Sequence, residues 1–202
     1  MVELDVQMTR DGELVCFHDW NLERLGGRSE TIEQSESSAL TRITIAPDGS
    51  RIPLLEEALA SLPEPAPINI ELKRRRAHRG KLARVLLEHL DGRSQVLVSS
   101  FDFELLGKLR ELAPELPLAP VERHQPRKLL EAGQAIDAFS LHCHSRLVTR
   151  HFIERAAGEG FDRVLAYTVN DEHLAKRLFE DGVSGIFTDQ PSKLVEHFKG
   201  SG

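Results

Sequence analysis

Short apolar runs alternate with longer amphipathic segments along most of the chain. VELDV (2–6), ELVCFHD (13–19), INIEL (68–72), QVLVSSF (95–101), LPLAPV (116–121), AFSLH (138–142), RVLAYTV (163–169) and GIFTD (185–189) read as strands. Between them, KLARVLLEHL (81–90), FELLGKLREL (103–112) and FIERAAGEG (152–160) repeat apolar residues at helical spacing. HLAKRLFEDG (173–182) does the same and ends in a glycine suited to a helix C-terminus. Strand, helix, strand repeated in this way predicts an α/β architecture with a parallel sheet, either a βα barrel or an open doubly wound sheet. No GxGxxG or P-loop follows a strand, so the nucleotide-binding open sheet has no support. Residues 20–53 interrupt the rhythm with Gly-Gly, Pro and Asp-Gly turn signals in a polar stretch. They are predicted to form a long inserted excursion after a barrel strand, with one short helix, of the kind that carries function. No second domain boundary is evident, so residues 1–202 are expected to be a single domain with a frayed KGSG tail.

Composition narrows the class. The chain has 202 residues, 40% of them hydrophobic and 29% charged, which suits a globular domain with a substantial core. No apolar run approaches the roughly 20 residues of a membrane span. The start, MVELDVQMTR, lacks the pattern of a secretory signal, so a cytoplasmic protein is expected. A net charge of -6 argues against a nucleic-acid partner. It leaves an anionic substrate open, because a bound divalent cation reverses the local sign. Cys16 and Cys143 lack CxxC spacing and are expected to be buried free thiols rather than a disulfide.

Polar residues recur where the strands end, and in a βα barrel the C-terminal rim assembles the active site from several strands. Glu3 and Asp5 are two apart and share a face of VELDV, opposite Val2, Leu4 and Val6. Asn69, Glu71 and Lys73 likewise share a face of INIELK. Each pair alone could be a solvated face or a plain ion pair. Together they offer three carboxylates and an ammonium, and oxygen-only ligands suit a hard divalent ion, Mg²⁺ or Ca²⁺, better than zinc. His18 follows LVCF, well placed for proton transfer near neutral pH. His142 and His144 follow a later strand and are weaker alternatives. The run KRRRAHRGK (73–81) reads as a solvated loop and helix entry with only Lys73 facing the site.

These residues resemble the glycerophosphodiester phosphodiesterase family over nearly the whole chain. The matching stretches are VELDVQMTRDGELVCFHDWNLERLGG, IPLLEEAL, INIELK, VLVSSF, YTVND and GIFTDQP, in the family's order and approximate spacing. The resemblance implies a TIM-type (βα)8 barrel that uses a divalent cation to hydrolyse glycerophosphodiesters to glycerol 3-phosphate and an alcohol. By position, Glu3, Asp5 and Glu71 look like the metal ligands, His18 like one of two catalytic histidines, and Lys73 like a phosphate-binding cation. Tyr167 stands where the family has a substrate-lining tryptophan before Thr-Val-Asn. The family's opening strand, which ends in His-Arg-Gly with the other histidine, has no counterpart in this sequence. His78-Arg79-Gly80 lies inside a charged run and is no substitute. The expected form is therefore an N-terminally truncated α/β barrel lacking its first strand and helix. Such a barrel would turn over slowly or not at all and have an open edge available for self-association. Two rivals share these residues: a non-catalytic metal- or phosphodiester-binding remnant, and a related phosphodiesterase acting on lysophospholipids or phosphoinositides. The polar excursion favours a water-soluble small-molecule substrate.

Overall fold

The computed structural model describes residues 1–63 and 65–199, so the last three residues of the predicted tail lie outside the described residues. Two compact units divide the chain, Met1–Pro117 and Leu118–Gly202.

In the first unit, β1 (Val2–Met8) pairs in parallel with β3 (Ile68–Leu72), and β3 in parallel with β4 (Val96–Ser100). The other side of β1 pairs antiparallel with β2 (Leu14–Cys16), Val6 opposite Cys16 and Met8 opposite Leu14. This corrects the reading of residues 13–19 as a further parallel strand: they are the return arm of a hairpin. The cause is local. Gly12 takes φ +98°, a conformation that side-chain-bearing residues resist, and donates its N–H to the Thr9 carbonyl at 3.1 Å. A chain reversed this tightly can only return antiparallel, because a parallel neighbour needs a crossover of a dozen or more residues.

The excursion holds more structure than its composition suggests. It contains α1 (Glu23–Gly26), a 3₁₀ turn (Ile32–Gln34) and α2 (Ser37–Leu40), where one short helix was predicted. Val15, Phe17, Leu22, Ile32, Leu40 and Ile52 form a buried cluster, with Ile43, Ile45 and Leu54 packed against it. Its apolar residues follow neither a helical nor a strand period, so they converge only when the chain curls over β2. Then comes α3 (Leu55–Ser61), where the Glu57 carboxylate accepts the Leu54 N–H at 2.9 Å and so satisfies one orphan donor of the helix start.

α4 (Arg79–Leu90) buries Leu82, Ala83, Leu86 and Leu90, and α5 (Phe103–Leu112) buries Leu105, Leu106 and Leu109, the stripes expected from the periodicity. Asp102 caps α5 by accepting the Leu105 N–H at 3.0 Å.

In the second unit, β5 (Leu118–Glu122), β6 (Leu141–His144), β7 (Val164–Tyr167) and β8 (Gly185–Ile186) pair in parallel in chain order. The helices are α6 (Pro126–Ala135), α7 (Arg150–Gly158), α8 (Glu172–Asp181) and α9 (Pro191–Lys199). Leu141, Cys143, Val164 and Ala166 of the strands meet Leu129, Leu130, Phe152, Ala156, Ala175, Leu178 and Leu194 of the helices in one buried cluster. α8 ends at Gly182, whose φ of 104° lets its N–H reach the carbonyls of Leu178 and Phe179, both at 3.1 Å. Cys16 and Cys143 are free thiols; Cys143 is buried as expected, whereas Cys16 is only half-buried. No described helix is long and apolar enough to cross a membrane.

Candidate active site

The alternation of β1 puts Glu3 and Asp5 on one face, and the β1–β3 register sets Glu3 beside Asn69 and Asp5 beside Glu71. Glu3, Asp5 and Glu71 can each present an oxygen within 4.8 Å of the others. Lys73 closes the group, with Nζ 3.1 Å from Asp5 Oδ1 and 2.8 Å from Glu71 Oε1. Its side chain is only 12% exposed. Burial opposes its charge, but the charges and hydrogen bonds of Glu71 and Asp5 outweigh that, and its pKa is raised. The ammonium is therefore fixed and charged.

Three negative groups against one positive leave a surplus of two negative charges in a partly buried cluster. An all-oxygen donor set with that surplus fits a hard divalent cation. The thiol of Cys16 is pushed up to about 12 by burial and by the charges of Asp5 and Glu3, so it stays protonated and is no nucleophile.

His18 is carried by the same framework. The Phe17 N–H bonds the Asp5 carbonyl at 2.9 Å, which ties the chain just before His18 to the carboxylate strand. Gln7 continues the Glu3–Asp5 face and is fully buried. Its Nε2 donates to the carbonyls of Phe17 (2.7 Å) and Asp19 (2.8 Å), bracketing His18. The imidazole Nδ1 lies 2.8 Å from Asp19 Oδ1, and Arg24 Nε donates to Asp19 Oδ2 at 2.6 Å. Arg24, then burial and His18, leave the Asp19 pKa lowered, so it stays a carboxylate that can orient the ring. The ring is 64% exposed and Nε2 is the nitrogen left for chemistry. Gln7 and Arg24 were missed from the sequence. Gln7 could have been found, because it continues the spacing of two that singled out Glu3 and Asp5.

Other polar strand ends have structural partners. Ser99 Oγ accepts from Asn69 Nδ2 at 3.0 Å, and Ser100 Oγ donates to the Leu72 carbonyl at 2.7 Å. Asn170 ties the Thr188 hydroxyl and Asp189 together. Tyr167 ends β7 in the second unit, where its hydroxyl donates to the Glu122 carbonyl at 3.0 Å and its ring meets His144 edge-on. His142 is buried beside Ser140 and Phe187, and desolvation pushes its pKa down to about 3. His144 caps the turn Ser145–Leu147 by accepting the Arg146 N–H, which uses its Nδ1 structurally.

The basic run after Lys73 divides in two. Arg74 and Arg79 both bind the Asp102 carboxylate, at 2.5 and 2.8 Å. The backbone N–H groups of Arg75, Arg76 and Ala77 converge on the Glu33 carboxylate at 2.8, 2.7 and 3.2 Å. Glu33 sits in the 3₁₀ turn of the excursion, so this one side chain pins the excursion to the loop that leaves β3.

The model of the glycerophosphoryl diester phosphodiesterase family matches residues 1–193. A glycerophosphodiester phosphodiesterase of Bacillus altitudinis is 31% identical over 96% of this chain and 84% of its own length. Lysophospholipase D of Rattus norvegicus is 25% identical over 97% of this chain and 76% of its own length. Among solved structures, a phosphodiesterase of Oleispira antarctica in complex with the product sn-glycerol-3-phosphate superposes with a TM-score of 0.91 at 27% identity. That match covers 98% of this chain and 84% of the other. The fold class is thus the α/β, TIM-type barrel expected from the motifs.

Proposed function

The chain belongs to the glycerophosphoryl diester phosphodiesterase family, a family of phosphoric diester hydrolases, and from this we propose that it hydrolyses, slowly, a water-soluble glycerophosphodiester to glycerol 3-phosphate and an alcohol, using Mg²⁺ or Ca²⁺. One observation carries the reading: Glu3, Asp5 and Glu71 converge within 4.8 Å, and the exposed His18 is tied through its backbone neighbours to β1, the strand that carries Glu3 and Asp5. The glycerol 3-phosphate bound to the Oleispira antarctica relative supports the product assignment.

In this reading Glu3, Asp5 and Glu71 hold the cation. Bound there, it would supply charge withdrawal at the phosphoryl oxygens. Lys73 adds a fixed positive charge for a phosphate oxygen. His18, held at Nδ1 by Asp19, moves a proton at Nε2. Tyr167 is kept as a substrate-lining aromatic on its motif position alone. Residues 1–202 form one phosphodiesterase domain with residues 20–53 as an insertion, a reading supported by the span of the family match.

The test pairs metal titration by calorimetry with release of glycerol 3-phosphate from glycerophosphocholine. Expected are metal binding lost in Glu71→Gln and turnover abolished by chelation and by His18→Ala. Metal-independent turnover would refute the cation's role, and binding without turnover would favour the non-catalytic remnant. The similarity to lysophospholipase D of Rattus norvegicus makes a lysophospholipid the comparison substrate; faster turnover of it would reverse the preference for a water-soluble diester.

A further inference from the structure

A solvent-open pocket lies between the excursion and the loop leaving β3, lined by Trp20, Thr31, Glu33, Gln34, Arg75 and Arg76. Trp20 follows His18 by two residues, and Arg75 follows Lys73 by two. Two residues of chain span about 7 Å at most, so the backbone lining the pocket begins within about 7 Å of the backbone carrying His18 and Lys73. Its chemistry differs from that of the carboxylate cluster. The Glu33 carboxylate is occupied by three backbone N–H groups and presents little negative charge to a ligand. Arg74 and Arg79 are consumed by Asp102, whereas among the described residues Arg75 and Arg76 form no ion pair. The same Glu33 contact that quiets the acid fixes the backbone carrying these two guanidiniums. Trp20, 39% exposed, adds an aromatic face.

Two unpaired guanidiniums beside an indole suit a phosphate on a ring or polyol better than a cationic headgroup. We infer that this cavity is the subsite for the alcohol arm of the substrate, and that it selects a polyol arm carrying a second phosphate. The inference rests on the phosphodiesterase reading and goes beyond it by naming which alcohol is preferred and which residues choose it.

A matched pair of ligands isolates the second phosphate: glycerophosphoinositol and glycerophosphoinositol 4-phosphate, titrated calorimetrically into the full chain with Ca²⁺ at physiological salt. The wild type should bind the phosphorylated ligand about tenfold tighter, the size expected of two exposed charge pairs. Arg75→Gln/Arg76→Gln should erase that ratio, and Arg75→Glu/Arg76→Glu should shift preference toward glycerophosphocholine. Arg42→Gln/Arg51→Gln makes the same change in net charge outside the cavity and should leave the ratio intact. The backbone groups held by Glu33 survive all these substitutions. An unchanged ratio in the Arg75/Arg76 variants, or an equal loss in the Arg42/Arg51 variant, overturns the subsite while leaving the phosphodiesterase reading standing. Failure of glycerol 3-phosphate and of every diester to bind the wild type overturns that reading, and the subsite with it.

Discussion

Single residues decide the site because each has a partner that limits what it can do. Asp5 lies between Glu71 in the register and Lys73 at 3.1 Å, so replacing it changes both charge and geometry. Asp5→Asn should weaken Ca²⁺ or Mg²⁺ binding at least tenfold, to an order of magnitude set by ligand charge count, measured by calorimetry. His18→Ala should cut turnover by about 10²- to 10⁴-fold, the usual contribution of a positioned acid or base. Asp19→Asn should cut it less and shift its pH profile, since Asp19 orients the ring without touching substrate. His142 gives a prediction for stability. Its folded pKa of about 3 lies below the ordinary 6.5, so between those values the unfolded chain binds a proton that the folded chain excludes. Stability should therefore fall as pH drops through that window. Urea midpoints against pH should show a flatter slope for His142→Gln. The carboxylates and Lys73 were legible in the sequence because period-two alternation reveals which side chains share a face, and His18 because it follows an apolar strand run. The Arg24–Asp19 contact was not, because it depends on how α1 docks after the chain turns.

At the scale of elements, the excursion shows how a polar stretch can hide a core. Ile32 is fully buried in a cluster with Leu22, Leu40 and Ile52. Ile32→Ala should cost about 2–5 kcal/mol in denaturant unfolding, as for other buried large-to-small changes. Glu33, its neighbour, joins the excursion to the loop after β3 through three N–H groups. Glu33→Gln keeps the size and loses the charge. It should cost about 1–3 kcal/mol, the range for losing charge-assisted hydrogen bonds, and raise hydrogen exchange at residues 75–77. The helices α4, α5 and α8 were legible from apolar spacing together with Asp102 and Gly182 at their ends. α6 and α9 were passed over, although Pro126 and Pro191 each mark a helix start. The antiparallel sense of β2 was also missed, even though Arg10-Asp11-Gly12 between two strand runs is a hairpin signal.

For the molecule as a whole, the proposed metal ligands come from two strands of one unit, separated by more than sixty residues of chain. A ligand that binds only the folded state stabilises it by mass action. Saturating Ca²⁺ should therefore raise the melting temperature of the wild type, and Glu3→Gln/Glu71→Gln should abolish the shift.

The sequence by itself determined the α/β class, the family, and the carboxylate, lysine and histidine candidates, whose oxygen donors suit a hard divalent ion. These follow from local period, short motifs and side-chain chemistry, which need no knowledge of distant neighbours. Tertiary structure alone decided that Glu33 closes the excursion onto the loop after β3, and that Arg74 is neutralised while Arg75 and Arg76 remain open. Those outcomes depend on residues 28 to 44 positions apart in the chain meeting in space, and no local pattern records which guanidinium will find a carboxylate.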